Sequence, residues 1–145
     1  MNHDSYDDAY IAGILKSVRS IAVLGASPKP ERPSFGVMKF LMGRGYRVIP
    51  VNPGQAGKEI AGAMTYASLA DLPQPVDMVD VFRASHAIPG VTAQILAMDP
   101  LPKVVWMQLA IRNDACAAQL EEQGIKVVMD RCPAIELRRL ARELG

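Results

Sequence analysis

The stretch Ile21-Ala22-Val23-Leu24-Gly25-Ala26-Ser27-Pro28-Lys29-Pro30-Glu31-Arg32-Pro33-Ser34 decides the fold. Its first four residues are apolar without alternation, and Gly25 stops them. Pro33-Ser34 then opens a helical stretch in which Val37, Met38 and Leu41 share a stripe, with Gly43 and Gly45 offering a stop. A short strand that is apolar on both faces belongs to a parallel sheet covered by helices on both sides. Four more runs of this kind follow: Val48–Val51, Met78–Phe82, Val104–Met107 and Lys126–Met129. Helical periodicity fills the intervals. Tyr10–Val18 aligns Ile11, Ile14, Leu15 and Val18. Ser85 is expected to cap a helix carrying Val91, Ile95, Leu96 and Met98, and Asn113 to cap one ending at Gln123. The last helix is expected from Pro133 to Leu144. Strand and helix alternating in this way predict one α/β domain over residues 1–145. It is Rossmann-like and doubly wound, a mainly parallel sheet of about five strands with helices on both faces.

Composition narrows what such a domain does. Half of the residues are apolar and 21% are charged, an ordinary globular balance. Sixteen Lys and Arg against fifteen Asp and Glu leave a net charge of +1, so no overall field favours nucleic acid or anionic lipid. Two cysteines form neither a disulfide scaffold nor a C-x-x-C zinc pair. The acidic first residues do not read as a secretory signal, and no apolar run reaches membrane-spanning length. A cytoplasmic protein with no membrane, metal or nucleic-acid partner is expected. Charge is nonetheless uneven. Residues 28–58 hold Lys29, Arg32, Lys39, Arg44, Arg47 and Lys58 against Glu31 alone, which suggests that the first third of the chain meets an anion.

Ligands of open parallel sheets sit outside the carboxyl ends of the strands. The loop after the first run offers Gly25, the hydroxyls of Ser27 and Ser34, a helix N-terminus, and the cations Lys29 and Arg32. Backbone N–H groups and a helix dipole at such a place suit a phosphate. The loop contains neither G-x-G-x-x-G nor G-x-x-x-x-G-K-[ST]. The second strand ends in Val51-Asn52-Pro53, without the carboxylate that would take a ribose 2′-hydroxyl, so NAD is disfavoured. An adenine nucleotide carrying an extra phosphate is compatible.

Five segments together carry a resemblance: Gly25-Ala26-Ser27, Val51-Asn52-Pro53, Val79-Asp80-Val81-Phe82-Arg83, Trp106-Met107-Gln108-Leu109 and Val127–Pro133. In this order they resemble the small stand-alone CoA-binding proteins, a family similar to the CoA-binding domain of the succinyl-CoA synthetase α subunit. The resemblance runs from about Ser17 to Leu140. It implies coenzyme A, or an acyl-CoA, bound without turnover. It implies further that Gly25, Ala26, Ser27 and Ser34 hold phosphates, and that Val51, Asn52 and Pro53 flank adenine and ribose. Phe82 and Arg83 would lie along the pantetheine, with Trp106, Met107 and Gln108 walling the pocket. Arg32 and Lys58 complete the expected cofactor-binding set. Where the family often has Gly after Gln-Leu, this chain has Ala110, whose methyl is expected to narrow the pocket.

Several residues have competing readings. Arg83 contacts ligand or pairs with Asp80 or Asp130. Asp80, inside a strand, needs a hydrogen-bonded partner. Trp106 is core or stacks on ligand, and Lys58 is a contact or a solvated loop residue. Cys132, between Arg131 and Pro133, has features that lower a thiol pKa. It is read either as a thiol able to form a mixed disulfide with CoA under oxidising conditions or as a buried, inert one. Cys116 reads as packing, His86 as a first-turn residue and His3 as part of a frayed terminus. No defensible catalytic constellation emerges. Two alternatives to simple binding stay open: an NAD(P)- or acyl-CoA-dependent enzyme, and a CoA-regulated interaction subunit, with a homo-oligomer or partner chain undecided.

Overall fold

The computed structural model describes residues 1–144. Five parallel strands form the sheet: β1 (Ser20–Leu24), β2 (Arg47–Val51), β5 (Met78–Val81), β6 (Val104–Met107) and β7 (Lys126–Val128), in the order β2-β1-β5-β6-β7. The apolar runs predicted these strands to within a residue or so. A two-stranded hairpin, β3 (Glu59–Ile60) with β4 (Ala63–Met64), lies apart from the main sheet. The helices are α1 (Asp8–Ser17), α2 (Pro33–Gly43), α3 (Ile88–Leu96), α4 (Asp114–Glu122), α5 (Pro133–Arg139) and α6 (Ala141–Leu144).

Alternation within each strand feeds two cores. Ile21, Val23, Val104, Trp106 and Val128 pack on the α1, α2 and α5 side. Ala22, Leu24, Val105, Met107 and Val127 pack toward α3 and α4. Every residue of β1, β5 and β6 is buried, as a sheet covered on both faces requires. The chain leaves β1 for β2 on one side and returns to β5 on the other. The topological switch point therefore lies between the carboxyl ends of β1 and β5.

Three local expectations change. Ser85 does not cap α3: a 3₁₀ turn, Ser85–Ala87, leads in, Ala87 makes no side-chain cap bond, and Ser85 Oγ instead accepts from the Arg112 amide at 3.3 Å. Asn113 caps α4 as expected, its Oδ1 accepting from Cys116 N at 2.9 Å, although the helix ends one residue early. The last helix divides at Leu140. The N-terminus is not frayed. His3 is buried and bonds Tyr6 at 2.7 Å and Glu121 at 3.1 Å, and the Met129 amide donates to the Tyr6 hydroxyl at 2.8 Å. No described helix is long and apolar enough to cross a membrane, and no described group of His, Cys, Asp or Glu could hold a metal ion.

Candidate functional site

At the switch point the chain leaves β1 through Gly25 at φ +89°, a conformation that favours glycine. A Cβ here would stand 2.6 Å from the Phe82 carbonyl oxygen, so the residue is glycine for space as well as for backbone angle. The amides of Gly25 and Ala26 both donate to the Val51 carbonyl, at 3.0 and 3.3 Å. Ser27 N donates to Ser34 Oγ at 3.0 Å, and Lys29 N to Ser27 Oγ at 3.2 Å. The free amides expected in this turn are thus already engaged. Ser34 buckles the loop and does not cap its own helix; Arg32 occupies the cap position without a side-chain bond. The Phe35 amide bonds the Arg32 carbonyl, whereas the Ser34 amide makes no bond among the described residues. An anion above α2 would meet that amide and the positive end of the helix.

Two cavities meet there. One, of about 240 Å³, is formed by Gly25, Ser27, Lys29, Arg32, Ser34 and the shared residues Pro33 and Phe82. The other, of about 300 Å³, continues from Pro33 and Phe82 to Arg83, Ala84, Gln108, Leu109 and Ile111. The first is polar and cationic. The second is walled mostly by apolar side chains, and Leu109 is 52% exposed at its edge. The trough therefore changes character along its length, from polar and cationic to mostly apolar.

The expected site residues divide accordingly. Gly25, Ser27, Arg32, Ser34, Phe82, Arg83 and Gln108 come together in this trough. Ala26, Val51, Trp106 and Met107 have buried side chains and wall neither cavity. Trp106 is fully buried, its Nε1 donating to the Arg131 carbonyl at 2.9 Å, so it is core. Asn52 is committed to the fold: Nδ2 donates to the Ala26 carbonyl at 2.7 Å and Oδ1 accepts from Gly54 N at 2.9 Å. Pro53 and Lys58 are exposed outside both cavities. Pro33, Ala84, Leu109 and Ile111 line the trough without having been assigned to it; their place in the loops after β1, β5 and β6 was the available signal.

The competing readings also resolve in part. Arg83 forms no ion pair with Asp80 or Asp130 among the described residues; Asp130 instead lies 3.9 Å from Arg131. Asp80 is fully buried between Val23 and Trp106 in the sheet, and burial pushes its carboxyl well above the usual carboxylate range. Its partner is the Gln108 side-chain amide, whose terminal atom faces both carboxyl oxygens at 3.0 and 3.3 Å. Cys132 is 7% exposed, belongs to the core on the α1 side and touches neither cavity, so the mixed disulfide loses its accessible thiol. His86 is exposed on the 3₁₀ turn, also outside them. Ala110 sits at φ +69°, and its amide donates to Asp130 Oδ1 at 2.6 Å. Backbone conformation at this position favours glycine, and Ala110 lines neither cavity, which replaces the expected narrowing of the pocket.

Residues 19–138 match the profile of the family described as CoA binding domain. A parallel sheet with a cationic trough at its switch point is the architecture of a nucleotide-binding domain, and this chain belongs to the CoA binding domain family. It is 39% identical over 124 residues to the uncharacterised protein YneT of Bacillus subtilis, covering 86% of this chain and 89% of that one. A solved structure from Thermus thermophilus is similar at 42% identity and a TM-score of 0.86, with 93% of this chain and 99% of that chain covered. The α subunit of an ADP-forming acetate–CoA ligase from Pyrococcus furiosus is 35% identical over 77 residues, half of this chain but 17% of that subunit.

Proposed function

We propose that this protein binds coenzyme A, or an acyl-CoA, in the trough at the carboxyl ends of β1, β5 and β6, and does not turn it over. The observation that carries the reading is the change of character along one continuous trough. Lys29, Arg32 and the N-terminus of α2 serve the phosphates at one end. Pro33, Phe82, Leu109 and Ile111 suit an arm with little charge at the other. Turnover would require a base beside that arm. Asp130, in the loop after β7, is engaged with the Ala110 amide, and His86 lies outside the cavities.

The test is a thermal-shift panel of CoA, acetyl-CoA, NAD, NADP and ATP at fixed protein concentration. A ligand at a hundred times its Kd adds about 2.7 kcal/mol, a shift of several degrees for a domain of this size. The CoA species are expected to raise the midpoint. A rise with NAD or NADP and none with CoA would overturn the reading in favour of a dehydrogenase.

A further inference from the structure

The part of the apolar cavity wall that carries Leu109 and Ile111 is a β-turn, Gln108–Ile111, closed by the Ile111 amide on the Gln108 carbonyl at 2.9 Å. Its third residue, Ala110, has φ +69°. Positive φ at that place in a turn belongs to glycine, and an alanine keeps it only where its neighbours impose it. The neighbour is Asp130. Its Oδ1 accepts from the Ala110 amide at 2.6 Å, and its own amide donates to the Ile111 carbonyl at 3.1 Å. Asp130 is itself left-handed, at φ +58°, a conformation that aspartate tolerates. Two residues with positive φ, one in the loop after β6 and one in the loop after β7, therefore hold each other. The far side of the turn is fixed separately. The Arg112 amide donates to Ser85 Oγ at 3.3 Å, and the Arg112 guanidinium donates to Asp114 and Asp4 at 2.7 and 2.9 Å. What Asp130 decides is the orientation of the Leu109–Ala110 peptide.

We propose that Asp130 is a positioning residue: by accepting from the Ala110 amide it keeps the Leu109–Ala110 peptide turned over, and so sets the apolar wall against which the ligand's arm lies. This rests on the coenzyme reading above and deepens it by naming what holds the arm end in shape. A peptide is planar, so its N–H and its carbonyl turn over together. Without an acceptor for that N–H, an alanine here returns to negative φ, as in the commoner type I turn. Leu109 and Ile111 flank the peptide, and the cavity they line changes with it. Asp130 itself lines neither cavity, so it acts through the turn and not on the ligand. Lys29, Arg32 and the start of α2 belong to another loop, which leaves the cationic end untouched.

The experiment is calorimetric titration with CoA and, in parallel, with adenosine 3′,5′-bisphosphate, which has phosphates but no arm. Asp130→Gly removes the acceptor while suiting the positive φ. It is expected to weaken CoA about threefold to tenfold, the worth of one hydrogen bond, and to leave the bisphosphate within about twofold. The conservative Asp130→Asn keeps an acceptor oxygen and tolerates the same backbone, and is expected to hold CoA affinity within about twofold. A merely structural Asp130 would weaken both ligands alike. Wild-type affinity for CoA in Asp130→Gly, equal losses for the two ligands, or a loss in Asp130→Asn as large as that in Asp130→Gly overturns the proposal. If Asp130→Gly does not fold, hydrogen exchange of the Ala110 amide in the wild-type protein decides. CoA is expected to slow it and the bisphosphate to leave it unchanged, and an equal rate with and without CoA overturns the proposal. Wild-type protein that binds the bisphosphate but gains nothing from the arm overturns this inference alone, whereas binding of neither compound overturns the coenzyme reading with it.

Discussion

The two ends of the sheet carry similar cations in opposite electrostatic settings. At the amino end, Lys16, Arg19, Arg44 and Arg47 border a depression of about 440 Å³. Lys16 lies in the last turn of α1, Arg44 follows the last turn of α2, and Arg47 donates to the Pro75 carbonyl at 3.1 Å. Cations beside helix C-termini and carbonyls stabilise the fold by themselves. At the carboxyl end, Arg32 stands at the N-cap position of α2 without a capping bond, and Lys29 precedes it. The first turn of that helix has no acid, and neither cation forms an ion pair among the described residues. Positive charge beside a positive helix end is unfavourable by a few tenths of a kcal/mol, about 0.3–1 each at most. An anion relieves it. Position relative to the dipole, more than the number of cations, separates the two ends and supports placing the proposed ligand at the carboxyl one.

The largest expected effect contrasts two glycines. Gly25 and Gly45 both have positive φ, at +89° and +94°, but a Cβ on Gly45 would meet nothing within 4 Å. Gly25→Ala is expected to destabilise by roughly 2–4 kcal/mol, from strain plus the clash with Phe82, against about 1 kcal/mol for Gly45→Ala. Urea midpoints of the two variants check the difference. Equal losses would mean that the approach of Gly25 to Phe82 is not tight.

Next come the cations themselves. Lys29→Ala and Arg32→Ala are each expected to weaken CoA about tenfold, and the pair about 100-fold, by calorimetry at fixed salt. Arg44→Ala with Arg47→Ala is expected to change affinity less than about twofold. A reversal of that order would move the anion to the amino end and break the comparison.

Asp80 supplies a pH signature. Its folded pKa is raised, so above the ordinary carboxylate range the unfolded chain loses a proton that the folded chain keeps. Stability is therefore lost as pH rises toward the folded pKa. Asp80→Asn removes that loss, so its stability relative to wild type is expected to improve with pH, by up to about 1.4 kcal/mol per unit. Paired melting curves at pH 5, 6.5 and 8 read the slope. A constant difference would show that Asp80 ionises normally.

The smallest effect sits at Ala110. Its φ of +69° strains a Cβ, and glycine there is expected to stabilise by about 0.5 kcal/mol after the entropy of the more flexible unfolded chain is counted. Urea denaturation checks the sign.

Much of this architecture is legible in the sequence. β-Branched runs broken by Gly and Pro marked all five main strands, because a strand buried on both faces has no polar alternation to hide it. The turn at Gly25 and the start of α2 at Pro33 were legible from the Gly and Pro that break the pattern there. The two-residue strands of the hairpin were not, being too short for any periodicity. The resemblance implies Trp106 and Met107 as pocket walls, whereas both are buried in the core, because chain position fixes which end of a strand a residue occupies but not how deep the helix layers bury it. The basic stretch from Lys29 to Lys58 looked like one feature, yet α2 carries Arg44 and Arg47 to the far end of the sheet. The Asp80–Gln108 pair was half legible: a carboxylate in an apolar strand demands a partner, but which side chain answers depends on strand order.

The most direct test of the site is a titration of ¹⁵N-labelled protein with CoA, followed through the backbone amide resonances. Shifts are expected at Gly25, Ser27, Ser34, Phe82, Arg83 and Gln108, with Lys16, Arg19, Arg44 and Arg47 unmoved. Shifts gathered at the amino end, or none at saturating CoA, would contradict the assignment of the trough.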